Sequence, residues 1–494
     1  MTGHPSFPHP AYRDTVLAPL FEGIRTHFAG HVNAINRAHL VMLHETGIIS
    51  TDQGRTIAAA LQDIERDMDA DKLSYTEEHE DYFFLVEAEL DRRVGEPGGM
   101  LHLARSRNDM DHTMFRMALR EKAGCLTEQV LHLVDRLIEK ARAERDTLVV
   151  AYTHGQPAQP TTFGHYLSAV VECLLRDAER LDLASDSLDL CPMGAAAITT
   201  SGFPINRQRV SDLLGFEEPQ LNSYGCIASV DYVTGLYSAI KLVFLHLGRV
   251  AQDMAHWSAF EVGQLHVPDS LVQVSSIMPQ KRNPVPIEHL RHLSSVTTGL
   301  CDAIINTMHN TPFADMNDSE ADVQQAGFAV FERGARALSL FAAFLPSCSI
   351  NASRFEINSD AACVTITELA DTLVRDEGLG FRRAHGVAAT TARTVVSRGV
   401  GLSRGFDVFA DAFEAETGRA TVLTRGMYAA AIAPETFVLR RDRPGGPAAT
   451  ALDRAIEAYE GKARECRGRL DARTARRAQA ASMLESAFNA LLEE

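Results

Sequence analysis

The stretch Val233-Thr234-Gly235-Leu236-Tyr237-Ser238-Ala239-Ile240-Lys241-Leu242-Val243-Phe244-Leu245-His246-Leu247-Gly248-Arg249-Val250-Ala251-Gln252-Asp253-Met254 decides the fold class. Its apolar positions Val233, Leu236, Tyr237, Ile240, Val243, Phe244, Leu247, Val250, Ala251 and Met254 advance in steps of three and four. That period lines one face of an α-helix. About six turns is far longer than the ~3–4 turns of an average globular helix. The same spacing recurs over 114–145, 163–184, 286–308 and 327–344. Such long helices in one central region imply an elongated bundle. Strand-like alternation is scarce, so the fold class is all-α, and each apolar stripe is read as bundle core.

Before the bundle, up to about His112, lies a segment of shorter helices with an acidic run from Asp63 to Asp81, read as a solvated face and a loop. After about Ala362, Gly378, Gly380, Gly386 and Gly401 break the chain into shorter helices. Pro444-Gly445-Gly446-Pro447 then precedes an Arg-rich amphipathic helix, expected to pack on a neighbour or fringe the surface. The division expected is 1–112, 113–362 and 363–494.

The formal net charge of -17 over 494 residues argues against nucleic acid as a partner. Eight Cys lack a Cys-x-x-Cys or a His/Cys cluster, which points to reduced thiols in a cytoplasmic protein and to no zinc site. Met1-Thr2-Gly3-His4-Pro5-Ser6-Phe7-Pro8 lacks a signal peptide's basic and apolar regions. Arg333 and Arg336 interrupt the most apolar run, 328–344, so no membrane span is expected.

Three polar segments carry the chemistry. In Val274-Ser275-Ser276-Ile277-Met278-Pro279-Gln280-Lys281-Arg282-Asn283-Pro284, the two prolines disfavour helix and predict a loop. Lys281 offers a point charge for a carboxylate, Asn283 a carboxamide, and a hydroxyl beside a cation can serve as a base. Arg107 and Asn108 in Ser106-Arg107-Asn108-Asp109 can hold a carboxylate, although the segment reads equally as a helix cap. His154, between Thr153 and Gln156 in a Pro-punctuated turn, is a candidate proton carrier among 19 His.

The first loop resembles the signature of the fumarase/aspartase superfamily, Gly-Ser-Ser-x-Met-Pro-x-Lys-x-Asn, with Val274 in place of the Gly. The resemblance implies Ser275 as catalytic base, Lys281 and Asn283 as carboxylate ligands, and Ser276 and Met278 at the substrate. Arg105-Ser106-Arg107-Asn108-Asp109 is similar to argininosuccinate lyases, which implies that Ser106, Arg107 and Asn108 bind substrate carboxylate. Tyr152–Pro160 resembles the family's Thr-His-x-Gln-x-Ala-x-Pro, which assigns Thr153, His154 and Gln159 to the site, and Glu288 matches the carboxylate paired with the His. The likeness runs from about Glu77 to Pro447. It implies a homotetramer whose sites draw on three subunits, with no metal or organic cofactor.

Three departures bear on the substrate. Phe83 stands for a polar, substrate-facing His; Ala228-Ser229-Val230 replaces a Ser-Asp-Arg; and Phe313–Val323, with Asp315, Glu320 and Val323, stands where argininosuccinate lyase has Tyr, Gln and Lys around its arginine moiety. Asp315 and Glu320 acidify the leaving-group pocket, as suits a cationic amine. The expectation is therefore a C–N lyase that reversibly eliminates fumarate from an N-substituted aspartate such as ethylenediamine-disuccinate. Ordinary argininosuccinate cleavage is the alternative, and a silent crystallin-like structural role the remote one.

Overall fold

The computed structural model describes residues 7–493, so Met1–Ser6 of the expected leaderless start lie outside the described residues. The chain is all-α, and the ends of its long helices follow from local chemistry. Helix α1 (Arg107–Ala143) opens on a capping box: Ser106 Oγ accepts the Asn108 N–H at 3.4 Å, and the Asp109 carboxylate accepts the Ser106 N–H at 2.9 Å. Strands β1 (Leu148–Thr153) and β2 (Gln156–Thr162) form an antiparallel hairpin. Its two tip residues, His154 at φ 55° and Gly155 at φ 72°, supply the left-handed pair of a tight hairpin turn. Thr162 then caps α2 (Phe163–Leu188) by accepting the His165 N–H at 3.1 Å.

Helix α3 (Asp231–Ser258) carries the periodic stretch, and Val233, Leu236, Tyr237, Ile240, Val243 and Leu247 are each 0% exposed. A two-residue ladder, β3 (Gln273–Val274) against β4 (Arg282–Asn283), precedes α4 (Val285–Thr307), which carries Pro286 in its first turn, where the lost N–H has no partner anyway. Helix α5 (Ala321–Ser347) closes the bundle. Its Gly334 lets the Phe244 ring approach where a Cβ would collide. Among the described residues α3, and not 328–344, is by length and hydropathy the helix apolar enough to cross a membrane; it packs against α2 and α4 with that apolar stripe inside.

Side-chain pairs fix the helix directions. Gly164 N–H bonds Glu144 C=O at 3.0 Å, so α2 starts where α1 ends, and Arg116 near the start of α1 reaches Ser187 C=O at the end of α2. His112 bonds the Tyr232 hydroxyl at 3.0 Å, and Lys241 pairs with Asp302 at 2.6 Å. The starts of α1 and α3 therefore share one end of the bundle with the ends of α2 and α4. The hairpin and the β3–β4 loop share the other.

Residues from Ile24 to Leu491 contribute to one hydrophobic core, while Cys363–Ile432 carry a separate one. In the smaller unit the buried Glu368 accepts from Arg375 and Arg440 at 2.5 Å and from Arg441 at 2.9 Å. The last helix, α6 (Ala449–Glu493), returns to the bundle. Its arginines pair along an acidic face: Arg467 with Asp135 at 2.9 Å, Arg473 with Asp182 and with Asp186 at 2.6 Å, and Arg476 with Asp189 at 2.7 Å. The division at 112 and 362 remains a proposal.

Candidate active site

At one end of the bundle, the capping geometry uses Ser106 and Asp109 and leaves Arg107 and Asn108 on a 480 Å³ cavity with Glu80, Asp111, Asn317 and Glu320. Arg107 meets Asp81 at 2.9 Å, Glu80 at 3.3 Å and Asp111 at 3.4 Å. Burial pushes the Asp111 carboxyl well up, and the charges of Asp81, Glu320 and Asp315 add to the Arg107-opposed shift. Burial, then Asp315, raises Glu320; burial also raises Asp81. For Arg107 burial alone would lower the value, but Asp111, Asp81, Glu80 and Glu320 carry it upward. The cavity thus holds more carboxylates than its one guanidinium neutralises.

Asp315 reaches within 3.7 Å of His112 Nε2, a buried ring whose protonated form is disfavoured first by desolvation. Tyr224, from the segment that lost its Ser-Asp-Arg, stacks on Phe313 and donates to its C=O at 3.0 Å. Two sequence placements change. Phe83 is not substrate-facing: it is 6% exposed in the core under Arg105, and Phe84 is the ring beside Arg107 at 5.8 Å. Val323 packs against the hydrophobic core, while Glu320 lines the cavity. Asp111 was missed, although it lies four residues after Arg107 and so on the same helix face.

At the other end, Thr153, His154 and Gln159 are exposed on the hairpin, with His154 at its tip. Gln264 ties this hairpin down, accepting the Val150 N–H at 2.7 Å and donating to its C=O at 3.2 Å. The β3–β4 ladder closes the predicted loop, and Arg282 pins its base to Asp269 and to Val267 C=O at 2.8 Å. Ser275 Oγ accepts the Met278 N–H at 3.1 Å and the Ile277 N–H at 3.4 Å. Two amide dipoles aimed at one oxygen favour its deprotonated form. Lys281 lines a 740 Å³ cleft with Arg282, His266 and Arg354, and its ammonium has no partner among the described residues. Ser276 and Met278 are exposed on this loop, and Asn283 pairs with Gln273 at its base. Glu288, exposed in the first turn of α4, makes no ion pair with His154 among the described residues.

Within one chain the two groups do not meet. Helix α1 has 37 residues, so at ~1.5 Å per residue about 55 Å separates Asn108 from the hairpin side. Ser275, Thr153, His154, Lys281, Asn283 and Glu288 share one end; Ser106, Arg107, Asn108, Asp315 and Glu320 share the other. Cys173, Asp177 and His246 bring possible ligand atoms within 4.8 Å of one another. Sequence spacing hides this cluster because it spans α2 and α3.

A family model described as Lyase matches residues 30–299, and one described as Argininosuccinate lyase C-terminal matches 363–438. The chain is 52% identical over 487 residues to Argininosuccinate lyase 2 of Agrobacterium fabrum, covering 98% of this chain and 97% of that protein. It is 32% identical over 460 residues to Argininosuccinate lyase of Methanothrix thermoacetophila, covering 93% and 91%. Among solved structures, EDDS lyase in complex with formate matches with a TM-score of 0.86 at 28% identity, over 98% of this chain and 96% of that one.

Proposed function

This chain belongs to the argininosuccinate lyase family of the fumarase/aspartase superfamily, and on that premise we propose that it releases fumarate from argininosuccinate, with Ser275 as the base. It is a carbon–nitrogen lyase that eliminates fumarate. The observation that carries the chemistry is the Ser275 hydroxyl held under two backbone N–H groups, on the loop that also carries Lys281.

In this reading Ser275 Oγ takes the proton from the substrate carbon next to a carboxylate, β to the nitrogen. The electron pair moves into that carboxylate as an aci-carboxylate, then returns to form the C=C bond of fumarate as the C–N bond breaks. Lys281, Asn283, Thr153, Asn108 and Ser106 hold the developing charge, the electrostatic contribution that usually dominates. Ser276, Met278 and Gln159 shape the surroundings. His154, with Glu288, orients the substrate and tunes the proton on the departing nitrogen. The cationic end of the leaving group lies against Asp111, Asp315 and Glu320. Burial pushes the Asp111 and Glu320 carboxyls up, and a cation arriving there favours the ionised forms of both.

The order of substrates differs from the sequence expectation because the relatives' names favour argininosuccinate. A second reading, an aminopolycarboxylate such as ethylenediamine-disuccinate, is favoured by the carboxylate excess around Arg107 and by the likeness to EDDS lyase. Incubating the purified protein separately with both compounds separates the two; fumarate from neither would sink both. The ~55 Å between the motif groups supports a homotetramer whose sites combine several copies. Eight free cysteines support a cytoplasmic enzyme.

A further inference from the structure

Away from both ends of the bundle, α2 and α3 pack side by side, and three chemically distinct ligand groups face one another between them. Cys173 and Asp177 lie four residues apart, hence on one face of α2. His246 comes from α3, and its Nδ1 stands 2.8 Å from Asp177 Oδ2. The Asp177 side chain is 0% exposed, and its Oδ1 accepts from Arg180 at 2.6 Å, which sets the plane of the carboxylate. Cys173 and His246 both border a 280 Å³ groove that opens toward Tyr166 and Asp253.

We propose that Cys173, Asp177 and His246 form a binding site for a zinc-type divalent cation, with solvent from the groove as fourth ligand. The donor set decides the class of metal. Magnesium and calcium demand oxygen ligands throughout, whereas one sulfur, one imidazole and one carboxylate suit tetrahedral zinc or cobalt. The His246–Asp177 spacing is close to what that geometry needs, and the Cys173 side chain has to move in toward the pair. Bonds of ~2.0–2.1 Å at the tetrahedral angle separate a nitrogen and an oxygen ligand by roughly 3.3 Å. The His246–Asp177 pair therefore opens by about half an ångström when the metal replaces the proton they share. A histidine–aspartate pair bridging two helices needs no thiol; the thiol within 4.8 Å of both is what a metal would use. Bound there, the cation cross-links α2 to α3 and stabilises the native bundle by mass action, without contact with Ser275 or Arg107.

The test is a Co²⁺ titration of the assembled protein after chelator dialysis. The expected result is one equivalent per chain, a thiolate-to-cobalt charge-transfer band that Zn²⁺ bleaches, and a melting temperature that rises with Zn²⁺. Cys173→Ser removes only the sulfur from a half-buried position; it loses the band and weakens Co²⁺ binding at least ~10-fold. A wild-type protein without a thiolate band, or a Cys173→Ser variant with the same spectrum and stoichiometry, overturns the proposal. Fumarate release is a separate readout, and its failure would leave the cobalt result standing.

Discussion

Replacing Asn108 by Ala in one preparation and His154 by Asn in another separates a one-chain site from a shared one. Both changes are structurally mild. Asn108 makes only a local contact with Ser106, and His154 sits at a hairpin tip with φ 55°, where Asn is well tolerated. The two positions lie about 55 Å apart along α1, several times the span of a small dicarboxylate. A site that uses both must take them from different copies. Each variant alone should then release fumarate very slowly. After the two are unfolded together and reassembled in equal amounts, a productive site needs Asn108 from a His154→Asn chain and His154 from an Asn108→Ala chain. Each choice has a probability of one half, so about a quarter of the sites, and of the wild-type rate, should return. Fumarate absorbance gives the rate, and native mass spectrometry verifies mixed assemblies. Mixed assemblies with no recovered activity would refute the reasoning.

Further outcomes follow from other contacts. Ser275→Ala should lower kcat for fumarate release about 10²–10⁴-fold while leaving the melting temperature near wild type, because the side chain lies on an exposed loop. Gly327→Ala should cost about 1–3 kcal/mol, since its methyl would overlap the Tyr237 hydroxyl; adding Tyr237→Phe should recover only part of that loss in chemical denaturation, because it removes a hydroxyl that is buried without a partner among the described residues but leaves the ring Cζ within 2.8 Å of the new methyl. Glu368→Ala should cost about 1.5–3 kcal/mol, through lost charge-assisted hydrogen bonds to Arg375, Arg440 and Arg441, which are exposed enough to regain water, and should expose 363–432 to limited proteolysis. Burial pushes the Asp109 carboxyl up to about 6, above its ~3.9 when unfolded. The native state therefore holds the extra proton, and the stability Asp109 contributes is full below about pH 4 and lost, to the extent of ~3 kcal/mol, as pH rises through 6. The wild-type minus Asp109→Asn difference in unfolding free energy should show that slope.

The bundle could be read from sequence because burial imposes a 3.6-residue period, and α3 begins and ends within a few residues of the apolar run 233–254. Helix starts were less legible. Apolar spacing suggested 114 for α1, but the Ser106–Asp109 capping box begins it at Arg107, which puts Arg107, Asn108 and Asp111 on the first turns. The hairpin 148–162 was hidden because Pro157 and Pro160 break the alternation, and two prolines in β2 are tolerated in a two-stranded ribbon with a free edge. The signature loop was legible as a loop, since Pro279 and Pro284 forbid helix, but the amides on Ser275 Oγ depend on its folded path. Phe83 and Phe84 show the limit most plainly: adjacent residues on a helix face directions about 100° apart, and only packing selects which one meets Arg107.

Helix α6 has a consequence for the order of synthesis. Asp135, Asp182, Asp186 and Asp189 find their guanidinium partners on residues 467–476, made 287 to 332 positions later. Until α6 is made, this acidic stripe repels itself and the Leu484, Phe488 and Leu491 slots stand open. The nascent bundle is thus an unlatched frame, and the forty-five residues of α6 are its bolt.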